Sequence, residues 1–355
     1  MSKANQVPNG VWFAFDDTGV KMNSRKYEKN KKARITILFL LVVSAIFVYK
    51  NSITLFDHYV IWRNPPSPAI VELANKTGMS NLGRRIFFAS VPSFDDAEEL
   101  NANCSDIETT MVILGCYARG RIHVFNVRDE RIAAAKYVTS AHEMLHAAYV
   151  RLSKSERNRI NTLLEESYQY IRGDDELRDL MAEYARMEPE QRHNELHSIL
   201  GAEHAELFSE LEDYYARYFT DRGRIVEMAF QYRKVFKNLE DEQAQLKVQL
   251  DRLAASIETN TSLLDTMILW LNRDIDDFNN KEFRSRSEFN NGRMALIEKQ
   301  RELNRFKARI EADIAQFDAW VKEYNSLGGK IDQLTYQIDS KSQAGVREIK
   351  DGSAF

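Results

Sequence analysis

Proline and glycine are scarce in this chain, at six and fourteen residues of 355. So little turn chemistry does not suit a fold of many short strands, and a mostly helical protein is expected. A surplus of basic charge is missing too. The net charge is -4, and no clustered basic helix with interleaved aromatics appears beyond the N-terminal region, so no nucleic-acid partner is expected. Cysteine is limited to Cys104 and Cys116.

Charge is absent altogether from Ile35 to Tyr49, ITILFLLVVSAIFVY, and apart from Lys50 the uncharged run continues to Phe56. Fifteen residues rise about 22 Å against a hydrocarbon core of roughly 30 Å, so a spanning helix must run through Lys50 and let its amine snorkel. Residues 1–34 carry eight Lys and Arg against three Asp and Glu, with Lys29, Lys31, Lys32 and Arg34 beside the run. Basic flanks stay cytoplasmic, which predicts a single-pass protein of the plasma (inner) membrane with its N-terminus inside and the remainder extracytoplasmic. A cleavable signal peptide is the rival reading. In an oxidising compartment Cys104 and Cys116, which bracket SDIETTMVILG, are expected to close a disulfide loop.

His142, Glu143 and His146 form an HExxH pentad within a predicted helix from Asp129 to Leu152. A helix turns about 100° per residue, so the two histidines stand one above the other on one face, where two imidazoles can grip one tetrahedral ion. Ile132, Ala135, Thr139, Tyr149 and Leu152 continue that stripe, and the face is predicted to point inward. Glu143 lies beside the pair, placed to take a proton from a metal-activated water and return it to a leaving amine. The spacing points to Zn2+ and to a zinc peptidase. A third protein ligand is needed, since catalytic zinc usually keeps three and one open position.

HEMLHAAY followed at a distance by NELHSILG resembles the gluzincin clan of metallopeptidases, and also an uncharacterised group of bacterial membrane-anchored peptidase-like proteins. The resemblance covers residues 66–222. It implies a zincin-like domain with His142 and His146 as metal ligands, Glu143 as general base and Glu195 as the third ligand. Two departures stand out: Ile199 occupies the place of the acid that orients a ligand histidine, and 49 residues separate His146 from Glu195. Ser198 and Asn194 are the substitutes considered for that outer role. Glu203, about 80° further round the same predicted helix, is the alternative third ligand. Tyr215 and Tyr218 in DYYARYF are candidate donors to a developing oxyanion. His193, His197 and His204 are either carbonyl-binding groups or surface residues.

Elsewhere helices are predicted over Ala69–Thr77 and 94–101, strands over Arg85–Val91, Met111–Cys116 and Arg121–Val127, and continuous helix from Leu152 to Phe219. The strand just before the pentad helix is expected to form the cleft edge to which an extended peptide adds. His123 on it is expected to be an ordinary strand residue. From Phe236 to Ile338 apolar residues recur near a 3.5-residue period in two runs, separated by a polar break at Asn279–Gly292 and with Gly328–Gly329 as a weak point. This predicts a long antiparallel coiled-coil hairpin, able to pack on itself, pair with a second copy or hold a partner.

The expected organisation is thus a cytoplasmic segment (1–34), one transmembrane helix (35–56), a linker (57–65), a metallopeptidase-like domain (66–222), the hairpin (223–343) and a tail (344–355). The fold class is mainly α with a small β-sheet (α+β). The expected activity is zinc-dependent hydrolysis of a protein or peptide substrate in the cell envelope, without a covalent enzyme intermediate. The alternative is an inactive envelope scaffold whose hairpin is the working part.

Overall fold

A computed structural model describes residues 34, 36–105, 114–171 and 175–343. The expected tail, the start of the strand predicted at Met111–Cys116 and the basic N-terminal segment lie outside the described residues. The chain is mainly helical with one three-stranded sheet, and it divides into two units, one up to Arg63 and one from Asn64 onward.

The first unit holds α1 (Thr36–Lys50) and α2 (Ser52–Arg63). Among the described residues no single helix is long and apolar enough to cross a membrane; these two pass only together, across a 69° bend. The straight span expected over 35–56 is therefore broken. At the break, Asn51 Nδ2 donates to the Phe47 carbonyl at 2.8 Å and Ser52 Oγ to the Tyr49 carbonyl at 3.0 Å. Both side chains compete with backbone amides for helical carbonyls.

In the second unit, α3 (Pro68–Lys76) opens with Ser67 as N-cap and proline at its first position. α4 (Asn81–Ala89) occupies most of the stretch expected as a strand. Ser80 caps it, and Gly83, Ile86, Phe87 and Ser90 are buried at helical spacing, so a short apolar run that reads either way by composition is decided by the cap and the period. β1 (Ser93–Asp95) leads through a capping box at Asp96 and Glu99 into α5 (Ala97–Asn103). β2 (Gly115–Ala118) and β3 (Arg121–Phe125) form a hairpin whose two turn residues, Arg119 and Gly120, both have positive φ. β3 is the middle strand, parallel to β1 and antiparallel to β2.

Alternation along β3 separates two cores. Ile122 and Val124 pack with Met144 and Leu145 of α6 (Ala135–Val150). Phe125 packs on the other face with Leu100 and with Cys104 and Cys116, which form a disulfide with Cα atoms 6.0 Å apart. α6 begins later than Asp129 because that side chain is spent on Arg131, accepting from its backbone N–H and its guanidinium. The helix expected from 152 to 219 is interrupted into α7 (Lys154–Ile171), α8 (Asp175–Met187), α9 (Arg192–Glu203) and α10 (Ser209–Tyr215).

Two long helices complete the unit, α11 (Gly223–Asn279) and α12 (Arg286–Ile338), each rising roughly 80 Å or more. They run side by side in opposite directions, with Leu246 and Leu250 against Leu327, and an Asp274–Lys299 ion pair nearer the turn. The turn is shorter than the polar break suggested. Phe278, Phe283 and Phe289 stack there with centroids 4.9 to 5.3 Å apart, and Gly292, inside α12, lets Phe278 approach: a Cβ would meet its ring at 2.7 Å. Gly328–Gly329 does not interrupt α12.

The far ends of both helices are built into the body. Ile225 and Ala229 of α11 are fully buried, while Leu334 of α12 is fully buried beside the disulfide. Asn101 and Ser340 exchange two hydrogen bonds, at 2.9 and 3.0 Å. Leu334→Ala should therefore cost about 2–5 kcal/mol in chemical denaturation of the whole second unit, whereas Leu269→Ala on the exposed hairpin surface should stay within about 0.5 kcal/mol.

Candidate metal centre

α6 and α9 bring the pentad to a glutamate far away in sequence. His142 Nε2 lies 3.5 Å from one carboxylate oxygen of Glu195, and His146 Nε2 lies 3.5 Å from the other. Ligand atoms of these three residues all fall within 4.8 Å of one another, a group that could hold a metal ion. The separations are informative. At 3.5 Å they exceed a good N–H···O hydrogen bond, but donors on arms of about 2.0–2.1 Å around a tetrahedral ion stand roughly 3.3 Å apart. Two imidazoles and one carboxylate are a donor set that suits zinc, so the residues fit the ion the spacing called for.

Glu203 stands elsewhere. Its carboxylate is 3.3 Å from Nδ1 of His142, on the opposite side of the ring from Glu195, and 2.8 Å from Nη1 of Arg233. It is outside the group of converging ligand atoms and holds the other nitrogen of a member of that group. Neither Asn194 nor Ser198 takes that outer position: Asn194 Nδ2 donates to Gln191, and Ser198 Oγ is buried without a partner among the described residues. Arg222 secures the chain after α9, bonding the carbonyls of Leu200, His204 and Ala205 and pairing with Glu212.

The charges balance tightly. Burial works against a charged His142, yet the facing carboxylates of Glu195 and Glu203, with Glu143 nearby, outweigh that and hold the ring well above the ordinary imidazole value. Burial also opposes charge on Glu195 and Glu203, but the imidazoles, joined by Arg233 at Glu203, draw both carboxyls below the usual range. Glu143 goes the other way: burial dominates the pull of His146 and His142, so its carboxyl is raised. Three carboxylates around two imidazoles demand a cation, whether a proton or a metal ion.

Glu143 also accepts the backbone N–H of Tyr117 on β2. β3, the strand immediately before α6, is central and not the cleft edge expected. β1 and β2 are the edge strands, and β2 has no strand on its other side among the described residues. Gly115 lets it lie against α6, because a Cβ there would meet Thr139 Cγ2 at 2.5 Å and the His123 carbonyl at 2.6 Å. His123 is on the face away from α6, its Nδ1 2.8 Å from Asp95.

The two tyrosines expected at the site are core residues. Tyr215 is fully buried and donates to the His197 carbonyl at 2.7 Å; Tyr218 donates to Tyr214. His197 is enclosed by Tyr149, Tyr214 and Tyr215, and burial holds its pKa well below the ordinary value. His193 pairs with Glu165. None of His193, His197 and His204 joins the ligand group. The phenol beside the centre is Tyr184 of α8, next to Glu195; burial, then the charges of Glu195 and Glu143, raise its pKa. No motif marked it, since only the fold of α8 onto α9 brings it there.

Comparison with protein-family models, curated proteins and solved structures returns no match. Tyr215→Phe should lower stability by about 1–3 kcal/mol in thermal unfolding, through the buried carbonyl left unpaired, and leave metal content unchanged.

Proposed function

We propose that this protein is a zinc-dependent endopeptidase, anchored at its N-terminus in the plasma membrane and working on protein substrates on the extracytoplasmic side. The observation that supports it most is the convergence of both pentad Nε2 atoms on the two oxygens of Glu195, with Glu143 between them on the same helix. His142, His146 and Glu195 would hold the ion, and Glu203 would orient His142 through Nδ1 as an outer carboxylate rather than as a ligand. Bound zinc supplies Lewis acidity, polarising the scissile carbonyl and lowering the pKa of water from about 15.7 toward roughly 7.

The rest of the chemistry belongs to this chain. Glu143, with a raised carboxyl held by the Tyr117 N–H, accepts the proton of the attacking water and delivers it to the departing amine. The Tyr184 hydroxyl, next to Glu195, is the donor for the carbonyl oxygen as negative charge grows on it. The edge of β2, which has no strand partner among the described residues, takes an extended peptide as an added strand, using backbone hydrogen bonds that are indifferent to side chains. No covalent enzyme intermediate is required.

The disulfide between Cys104 and Cys116 supports an oxidising compartment. α1 carries no charge before Lys50, as suits lipid, and together with α2 it has the length and hydropathy of a bent span. The α11–α12 pair is read as a coiled-coil hairpin that places the peptidase relative to a partner or a second copy.

Two measurements test the assignment. Glu143→Gln should keep stoichiometric zinc while cleavage of an unstructured protein falls by about 100-fold or more, and His146→Ala should lose the zinc itself. Retained cleavage in the first variant removes Glu143 as base. A parent chain that binds zinc and cleaves nothing favours the scaffold reading. Tyr184→Phe should lower kcat by about 100-fold with zinc content intact; an unchanged kcat excludes the phenol from the reaction.

A further inference from the structure

We infer that Arg233, on the first long helix of the hairpin, is a positioning residue for the metal centre, acting through Glu203 on His142. The inference rests on the metal reading above. It extends the centre beyond the pentad and α9, into the part of the chain that otherwise carries no chemistry.

The connection is continuous. Nη1 of Arg233 is 2.8 Å from the Glu203 carboxylate and Nη2 donates to the Glu203 backbone carbonyl at 3.1 Å, so one guanidinium holds both the side chain and the main chain of that residue. The other carboxylate oxygen faces His142 Nδ1 at 3.3 Å. Fixing Nδ1–H on Glu203 sets the tautomer of His142 and aims the Nε2 lone pair at the group formed with His146 and Glu195. Packing determines where the guanidinium sits. Ile225 and Ala229, two turns and one turn earlier on the same helix face, are fully buried against the body, so the next turn presents Arg233 at a set position beside α9.

Charge explains why an arginine is needed. Glu143, Glu195 and Glu203 carry three negative charges when ionised; a divalent ion between neutral imidazoles cancels two, and Arg233 cancels the third. A lysine would restore the charge but not the two-pronged grip on side chain and carbonyl.

The test uses the full chain and Zn2+ itself, in competition with a chromophoric chelator, and repeats it with Co2+ to read the visible bands of the bound ion. Arg233→Ala should weaken zinc binding by about 10–100-fold and shift the Co2+ bands. Glu203→Gln should do the same. Because both act through one contact, the double variant should bind about as well as Glu203→Gln alone. Lys234→Ala, on the adjacent residue, should match the parent. Should Arg233→Ala fail to fold, Arg233→Lys carries the test, with several-fold weaker binding and an intermediate spectrum expected. Parent affinity and spectrum in the Arg233 variants, or losses that add in the double variant, would overturn the inference. A parent chain that binds no zinc overturns the metal reading and this inference together, whereas a zinc-binding parent matched by its Arg233 variants overturns this inference alone.

Discussion

Helices α6 and α9 lie closer together than any side chain at position 201 would permit. A Cβ on Gly201 would meet Leu145 and Tyr215 at 2.5 Å. That approach is what lets a carboxylate on one helix reach two imidazoles on the other, and much of the surrounding structure supports it. Tyr215 ties α10 to the His197 carbonyl of α9, and Arg222 gathers the carbonyls that follow Leu200. Gly115 repeats the device on the opposite flank, where the sheet edge touches α6 beside Glu143. Two absent side chains thus set the width of the centre.

The second constraint is electrostatic. A carboxylate withdrawn from water is expensive unless paired, and here buried Glu143 and half-buried Glu195 and Glu203 are grouped around two histidines. The group is tolerable because each charge has a partner on a different element: Glu195 has both imidazoles and Tyr184, Glu203 has His142 and Arg233, and Glu143 has the Tyr117 N–H and a raised pKa. Four helices and one strand are therefore joined by charge as well as by packing. The two long helices enter that arrangement at their base, where their buried residues also cover the disulfide.

Much of this was legible in the chain. The histidine pair, the glutamate between them and the inward stripe from Ile132 to Leu152 follow from helical periodicity, a local property that survives any tertiary arrangement. Glu195 is the ligand that the resemblance implies, and the geometry brings it to the pair. The long apolar repeats showed two helices, and the cysteine pair formed the expected bridge. Local hydrogen bonds and caps override the wider pattern elsewhere. Side-chain hydrogen bonds at Asn51 and Ser52 mark the break in an apolar run that hydropathy alone reads as continuous, and the cap at Ser80 turned a strand-like stretch into α4.

Short-range pattern carries the groups that repeat locally: two imidazoles one turn apart, a carboxylate beside them, and the helices that hold them. The remainder comes from packing between elements. That Glu203 faces Nδ1 of His142, that Tyr184 rather than Tyr215 or Tyr218 lies beside Glu195, that β2 rather than β3 is an edge strand among the described residues, and that Arg233 reaches back from α11 all depend on contacts between residues tens of positions apart. Periodicity specifies which face of a helix is buried; it is silent on which neighbour buries it, because that is set by packing between whole elements.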